Sequence, residues 1–176
     1  MASIVFRSAT PSDAARLSTY ARHLFVQTYA EFNEPANFQR YLDGAFGEEI
    51  QHAQLTDPDK LTVVAETGDT YAGYYQVIFN GAVPDCVNTK PVAELARFYV
   101  DPDYHGLGLA QRQITDMFEK VALRAAGVWL GVWKENPRAI RFYEKAGMRD
   151  VGETSFLLGD DLQQDRVFLR EFGNAR

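Results

Sequence analysis

One cysteine, three histidines and no apolar run long enough to cross a bilayer set the first limits on this 176-residue chain. Cys86 alone can form neither an internal disulfide nor a thiolate metal site, so the composition fits a reducing compartment, with the cytoplasm as the default expectation. His23, His52 and His105 lie far apart without ligand spacing, and no metal is expected. The opening MASIVFRSATPSDAARL lacks the basic flank and long apolar core of an export signal, so neither secretion nor a membrane partner is expected. Basic residues number 18 against 24 acidic ones, a formal charge of −6 with no Lys/Arg run. That balance argues against nucleic acid as a partner and mildly favours cationic or neutral small molecules. With no repeat, low-complexity tract or Pro/Gly/Ser-rich linker, one domain over residues 1–176 is expected.

What is present, 46% hydrophobic residues in an ordinary mixture, suffices to bury a core. SIVFR reads as a first strand. Thr10 then stands as N-cap with Pro11 at the first helical position and Asp13 completing a capping-box pattern, before Leu17, Tyr20, Ala21, Leu24 and Phe25 at helical spacing. A second helical stretch covers roughly residues 35–56, broken near Gly44 or Gly47. LTVVAE, the turn TGDT and YAGYYQVIFN form a hairpin pattern, residues 81–92 are loop, and VAELARFYV is a strand ending at Asp101-Pro102. Ile114, Met117, Phe118, Val121 and Ala125 mark a long amphipathic helix, GVWLGVW is an apolar strand, and Asn136-Pro137 and Gly147 bracket a further helix. MRDVGETSFLL and QQDRVFLREF, joined by GDD, close the chain as two strands. This order describes a mixed α/β sheet covered by helices.

Between strand and helix lies DPDYHGLGLAQRQ, with small residues at Gly106, Gly108 and Ala110. A bare loop opening a helix presents free N–H groups and the positive end of a dipole, which suits a phosphate. A tight turn that lets the helix pack close to the sheet explains the same residues. A dinucleotide fingerprint requires a small residue where Gln111 stands, and a P-loop requires Gly-Lys-Ser/Thr, so neither applies.

Taken with its flanks, this stretch resembles the acetyl-CoA site of the GNAT N-acetyltransferases. ELARFYVDPDYHGLGLA resembles that family's strand and loop, and WLGVWKENPRAIRFYEKAGMRDVG the second half of its core. SFLLGDDLQQD together with WLGVW is similar to the PaiA-like branch, which includes spermidine/spermine acetyltransferases. The resemblance implies a GNAT fold, a mostly antiparallel twisted sheet of about seven strands with helices on both faces. It further implies that Phe98, Tyr99 and Val100 lie along the pantetheine arm of acetyl-CoA, with the Val100 N–H near the thioester carbonyl. His105, Gly106, Leu107, Gly108, Leu109, Ala110 and Gln111 would hold the pyrophosphate, and Asn136, Arg138 and Ala139 would face the arm. Two positions depart from the pattern: His105 stands where Arg or Gln is usual, and Thr154 where the branch has His.

Acetyl transfer from a thioester to an amine needs a neutral amine, a donor for the developing oxyanion and a proton for the thiolate. Tyr143 is the candidate general acid, with a core aromatic as its other reading. Strand alternation would set Glu94, Ala96, Phe98 and Val100 on one face, making Glu94 a candidate base or an exposed strand-start carboxylate, and would turn Arg97 to the other face. Cys86 has no base at motif spacing, and Trp129 and Trp133 read as core anchors on one strand face. Glu31, Glu34, Asp43, Glu48 and Glu49 make the helical region acidic, which fits a cationic acceptor or a solvated face. The expected activity is direct acetyl transfer to a primary amine of a small molecule, a polyamine among the candidates. Acetylation of a protein or peptide N-terminus or lysine, and a non-catalytic acyl-CoA sensor, are the alternatives. Whether the chain pairs as a homodimer is left open.

Overall fold

The computed structural model describes residues 3–173. In chain order the elements are β1 (Val5–Ser8), α1 (Ala14–Tyr29), α2 (Pro35–Ala45), α3 (Glu48–Thr56), β2 (Lys60–Thr67), β3 (Thr70–Ile78), β4 (Val92–Val100), α4 (Leu109–Ala122), β5 (Gly127–Trp133), α5 (Pro137–Lys145), β6 (Arg149–Leu158) and β7 (Asp161–Glu171). The strands form one sheet in the order β1-β2-β3-β4-β5-β7-β6. Every neighbouring pair is antiparallel except β4 and β5, which run parallel and are joined by the α4 crossover that such a pair requires. No helix among the described residues is long and apolar enough to cross a membrane.

Alternating side chains on the strands separate two cores. Val63, Tyr75 and Val77 pack with Ile114, Met117 and Val121 of α4, while Val64, Tyr71 and Tyr74 pack with Leu17, Ala21 and Leu24 of α1 and Phe38 of α2. The apolar stripe of each helix thus meets its own face of the sheet. The start of α1 is fastened by Asp13, whose carboxylate accepts the Thr10 N–H at 2.8 Å, the Tyr71 hydroxyl at 2.7 Å and both terminal nitrogens of Arg7 at 2.9 and 2.8 Å. On the opposite face Gln113, fully buried in α4, donates to the carbonyls of Tyr74 and Tyr99 at 3.2 and 3.1 Å. Gly73 leaves the room for it, because a Cβ there would lie 2.6 Å from the Gln113 amide oxygen.

One expectation about β4 fails, and the reason is local. Gln76 pairs with Arg97 but Val77 pairs with Leu95, so Ala96 is an extra residue in the strand, a β-bulge. The bulge resets the alternation. Leu95 and Phe98 face the α4–α5 core, whereas Arg97 and Tyr99 turn to the α1–α2 side, where the Arg97 guanidinium lies 4.7 Å from the Phe46 ring and donates to the Ala45 carbonyl at 3.2 Å. Glu94, next to Leu95 and before the bulge, therefore shares a face with Arg97 and not with Phe98 and Val100.

The Asp13 cluster has a pH signature. Arg7, above all, holds the Asp13 carboxyl well below the usual carboxylate range, with Thr10 and Tyr71 adding to it against the opposing cost of burial. A carboxylate depressed in this way contributes stability above its unfolded pKa that is lost as pH falls through the folded value. Asp13→Asn should therefore lower stability at pH 7 by about 2 kcal/mol in urea unfolding, with the gap to the unaltered protein closing as the pH is lowered. An unchanged denaturation midpoint at pH 7 would contradict this role.

Candidate active site

The parallel pair that α4 creates is short. β4 and β5 are paired only from Val92–Gly127 to Glu94–Trp129, after which the bulge at Ala96 carries β4 away. A cavity of about 840 Å³ occupies the opening, lined by Leu95 to Val100 on one strand and Gly131 to Trp133 on the other. Because the Asp101 N–H donates to Ala72 on β3 at 2.9 Å, strand alternation turns the backbone groups of Phe98 and Val100 the other way, toward this open edge. An edge without a neighbouring strand presents donors and acceptors that an extended ligand can take.

On the α4–α5 side the cavity is lined by His105, Ala110, Asn136, Arg138, Ala139 and Tyr143. Asn136 caps α5 by accepting the Ala139 N–H at 3.1 Å. Gly106 and Gly108 both have φ of +77°, and a Cβ at either would meet no atom within 4 Å. The turn needs their left-handed backbone, and the space over them is open. Gly108 is the N-cap of α4 and offers no capping side chain, so the N–H groups of Leu109, Ala110 and Gln111 begin the helix without carbonyl partners. The Leu109 side chain itself is buried with Ala65 and Ala72, leaving its backbone as the part that can meet a ligand. Leu107 is exposed, and neither it nor Gly106, Gly108 or Gln111 lines the cavity proper.

His105, on the cavity wall, has a partner at each ring nitrogen. Arg138 NH2 lies 3.1 Å from His105 Nδ1, and His105 Nε2 lies 3.0 Å from the Val100 carbonyl oxygen. A guanidinium can only donate, so Nδ1 accepts, Nε2 carries the proton given to Val100, and the ring is neutral in this arrangement. The permanent positive charge beside the glycine loop comes instead from Arg138 on α5, held there by His105.

Tyr143 is buried at the split, its ring 6.3 Å from that of Phe98 and 6.4 Å from that of Phe168. Burial raises its phenol above the ordinary tyrosine range, with a smaller contribution from Tyr29, so the hydroxyl stays protonated near neutrality. Glu94, the other catalytic candidate, does not line the cavity; it sits at the start of β4, where burial raises its pKa. Cys86 packs against Gly152, and Trp129 is buried, each outside the cavity, while Trp133 is at its wall with its ring 5.5 Å from Phe32.

The α1–α2 side is aromatic. Phe25 stands 4.8 Å from Tyr29 and 4.9 Å from Tyr41, and Tyr41 stands 5.6 Å from Phe156. None of Glu31, Glu34, Asp43, Glu48 and Glu49 lines the cavity; Glu34 caps α2, and Asp43 accepts from Gln39. Sequence reasoning passed over Asp165, which does line it. Desolvation raises the Asp165 carboxyl to about 6, and its charge in turn adds to the burial that raises Tyr29. The signal was present in β7, where Gln163 and Asp165 continue the face that carries buried Val167 and Leu169. A carboxylate on an otherwise inward face is the kind of exception that marks a site.

Residues 21–148 match the model of the acetyltransferase (GNAT) family. An uncharacterized N-acetyltransferase of Mycobacterium bovis is 31% identical over 165 residues, covering 91% of this chain and 98% of its own. Among solved structures, the PaiA N-acetyltransferase of Thermoplasma acidophilum in complex with coenzyme A superposes with a TM-score of 0.77 at 18% identity, over 97% of this chain and 99% of that one. The spermidine N-acetyltransferase of Vibrio cholerae, solved with CoA and spermine, gives 0.68 at 20% identity over 96% and 95%. The fold and the family match agree: the chain belongs to the GNAT family of acetyltransferases and has the fold expected of it.

The placement of Arg138 makes a binding prediction for the loop. Arg138→Ala should weaken binding of a diphosphate probe, ADP, about tenfold in calorimetry, and the difference should shrink as salt is raised. Equal affinities at low salt would mean that the Arg138 charge does not reach the loop.

Proposed function

We propose that the protein transfers the acetyl group of acetyl-CoA to a primary amine of a small molecule, both held in the cleft at once. The observation that carries the reading is the parting of β4 from β5 at the Ala96 bulge, which leaves a free strand edge running to a bare helix N-terminus with a buried tyrosine at the gap. The residues present fit the cosubstrate. Free N–H groups at Leu109, Ala110 and Gln111, with open space over Gly106 and Gly108, suit a pyrophosphate, and the Phe98–Val100 edge suits an amide-bearing arm. Acetyl-CoA supplies an activated acyl group as a thioester. In this reading the Val100 N–H donates to the carbonyl oxygen as negative charge grows there, and the Tyr143 hydroxyl gives its proton to the departing sulfur. Asn136 and His105 act by holding α5 and Arg138 in place.

A small acceptor is favoured over a protein by the way the far end of the cleft is covered. The β6–β7 hairpin folds onto α2 and the segment before it. Gly159 packs on the Asn37 backbone, Arg40 pairs with Asp160 at 2.7 Å and Gln163 donates to Asn33 at 2.8 Å. The solved relatives described as CoA complexes, one also holding spermine, support the cosubstrate and an amine acceptor in kind. A cytoplasmic setting agrees with the lone free thiol of Cys86.

Calorimetry with acetyl-CoA, and CoA release across a panel of amines and peptides, test the whole reading. Neither binding nor release would reject it, and binding without release would favour a sensor. Within it, Tyr143→Phe should cut kcat by about 100-fold while leaving acetyl-CoA affinity within about twofold. Lost affinity with normal turnover would remove Tyr143 from the acid role.

A further inference from the structure

Asp165 is a part-buried carboxylate at the cavity wall to which no described residue gives a hydrogen bond or a charge. It projects from β7 opposite Trp133 and beside Gly131, whose missing side chain leaves its room, since a Cβ on Gly131 would lie 3.0 Å from Asp165 Oδ2. Around it the α1–α2 end of the cleft is walled by rings: Tyr29, Phe32, Tyr41, Trp133 and Phe156. A partly desolvated carboxylate with no protein partner, set in a cleft, is a candidate to meet a ligand's charge.

The charges lining the cleft narrow that ligand. Asp165 and Glu135 are the acids among the lining residues, Glu135 being exposed after β5, and against them stand Arg97 and Arg138. The phenols of Tyr29, Tyr41, Tyr99 and Tyr143 are all raised and therefore neutral. A cation on this side thus has one carboxylate to meet and ring faces about it. A polyamine would carry its second ammonium along apolar rings or toward the Arg97 guanidinium, since the other lining carboxylate, Glu135, lies exposed after β5 and not among the rings.

We propose that Asp165 receives the acceptor ammonium and takes its first proton, and that the acceptor is a primary monoamine with an apolar body that packs on the rings, not a polyamine. This rests on the acetyltransferase reading above. The protons balance as follows. The ammonium gives one proton to Asp165, which passes it to solvent, and the freed nitrogen lone pair forms the C–N bond as the C–S bond breaks. Sulfur takes the Tyr143 proton, and the second proton lost by nitrogen replaces it, so the products are the amide, the thiol and one proton. Tyr29 lines the same cavity as Asp165 and Tyr143.

The experiment compares 2-phenylethylamine, hexylamine and spermidine with the unaltered protein and with Asp165→Asn. CoA release should favour the two monoamines over spermidine by at least about tenfold in kcat/KM, and Asp165→Asn should lower kcat/KM for 2-phenylethylamine about 100-fold with acetyl-CoA affinity unchanged. Without any ligand, Asp165→Asn should raise Tm at pH 7.5. Since burial raises this carboxyl to about 6, its ionisation costs stability as pH rises through that value, and the difference should shrink toward pH 4. A merely structural carboxylate would give the opposite sign in Tm. Preference for spermidine, or full activity of Asp165→Asn, would overturn the proposal. Calorimetry with 2-phenylethylamine alone keeps the two readings apart. Amine binding lost in Asp165→Asn supports this assignment even if acetyl-CoA does not bind, whereas acetyl-CoA binding with no effect of Asp165→Asn on the amine sinks this assignment and leaves the wider reading standing.

Discussion

The site depends on one extra residue in a strand. A parallel pair buried between helices would ordinarily continue its ladder to the strand ends, and here that would seal the sheet. Ala96 prevents it, turning β4 from β5 after three residue pairs and exposing the Phe98–Val100 edge to the gap. The same residue reverses which side chains face which core. Phe98 joins the α4–α5 cluster, Tyr99 the α1–α2 cluster, and both come to line the opening. In a strand that simply alternated, Phe98 and Tyr99 would still lie on opposite faces but with the two cores exchanged.

That reversal also marks where sequence reasoning reached its limit. Helix stripes such as Ile114, Met117 and Val121, the cap at Asn136 and the hairpin around TGDT are local patterns, and all of them appear as read. The glycine loop was legible because strand, bare turn and helix follow one another in the chain. A bulge leaves no comparable trace: ELARFYV alternates convincingly, and only the pairing with β3 shows that Ala96 is surplus. Glu94 was put with Phe98 for that reason. Asp165 was passed over for another reason: that it lines the cavity depends on elements more than a hundred residues earlier in the chain. The acidic residues of the first helices fit a cationic acceptor or a solvated face equally from the sequence, and none of Glu31, Glu34, Asp43, Glu48 and Glu49 lines the cleft.

Charge is distributed along the opening in a way that follows from the two sides' different walls. At the glycine loop a fixed guanidinium, backbone N–H groups and a helix dipole all favour an anion, and His105 serves as a neutral bracket between Arg138 and the Val100 carbonyl. At the other side burial among rings raises the phenols of Tyr29 and Tyr41 and the carboxyl of Asp165. The two regions thus differ in polarity.

Because the gap passes through the sheet, its lining comes from helices on both faces, α1 and α2 on one and α4 and α5 on the other. On the proposed reading, two reactants approaching from opposite faces need not pass each other. Neither has to leave before the other can, and occupancy on one side does not bar the doorway on the other. Geometry of this kind places no steric order on arrival or departure, so an order observed in turnover would come from what one bound reactant does to the other's site.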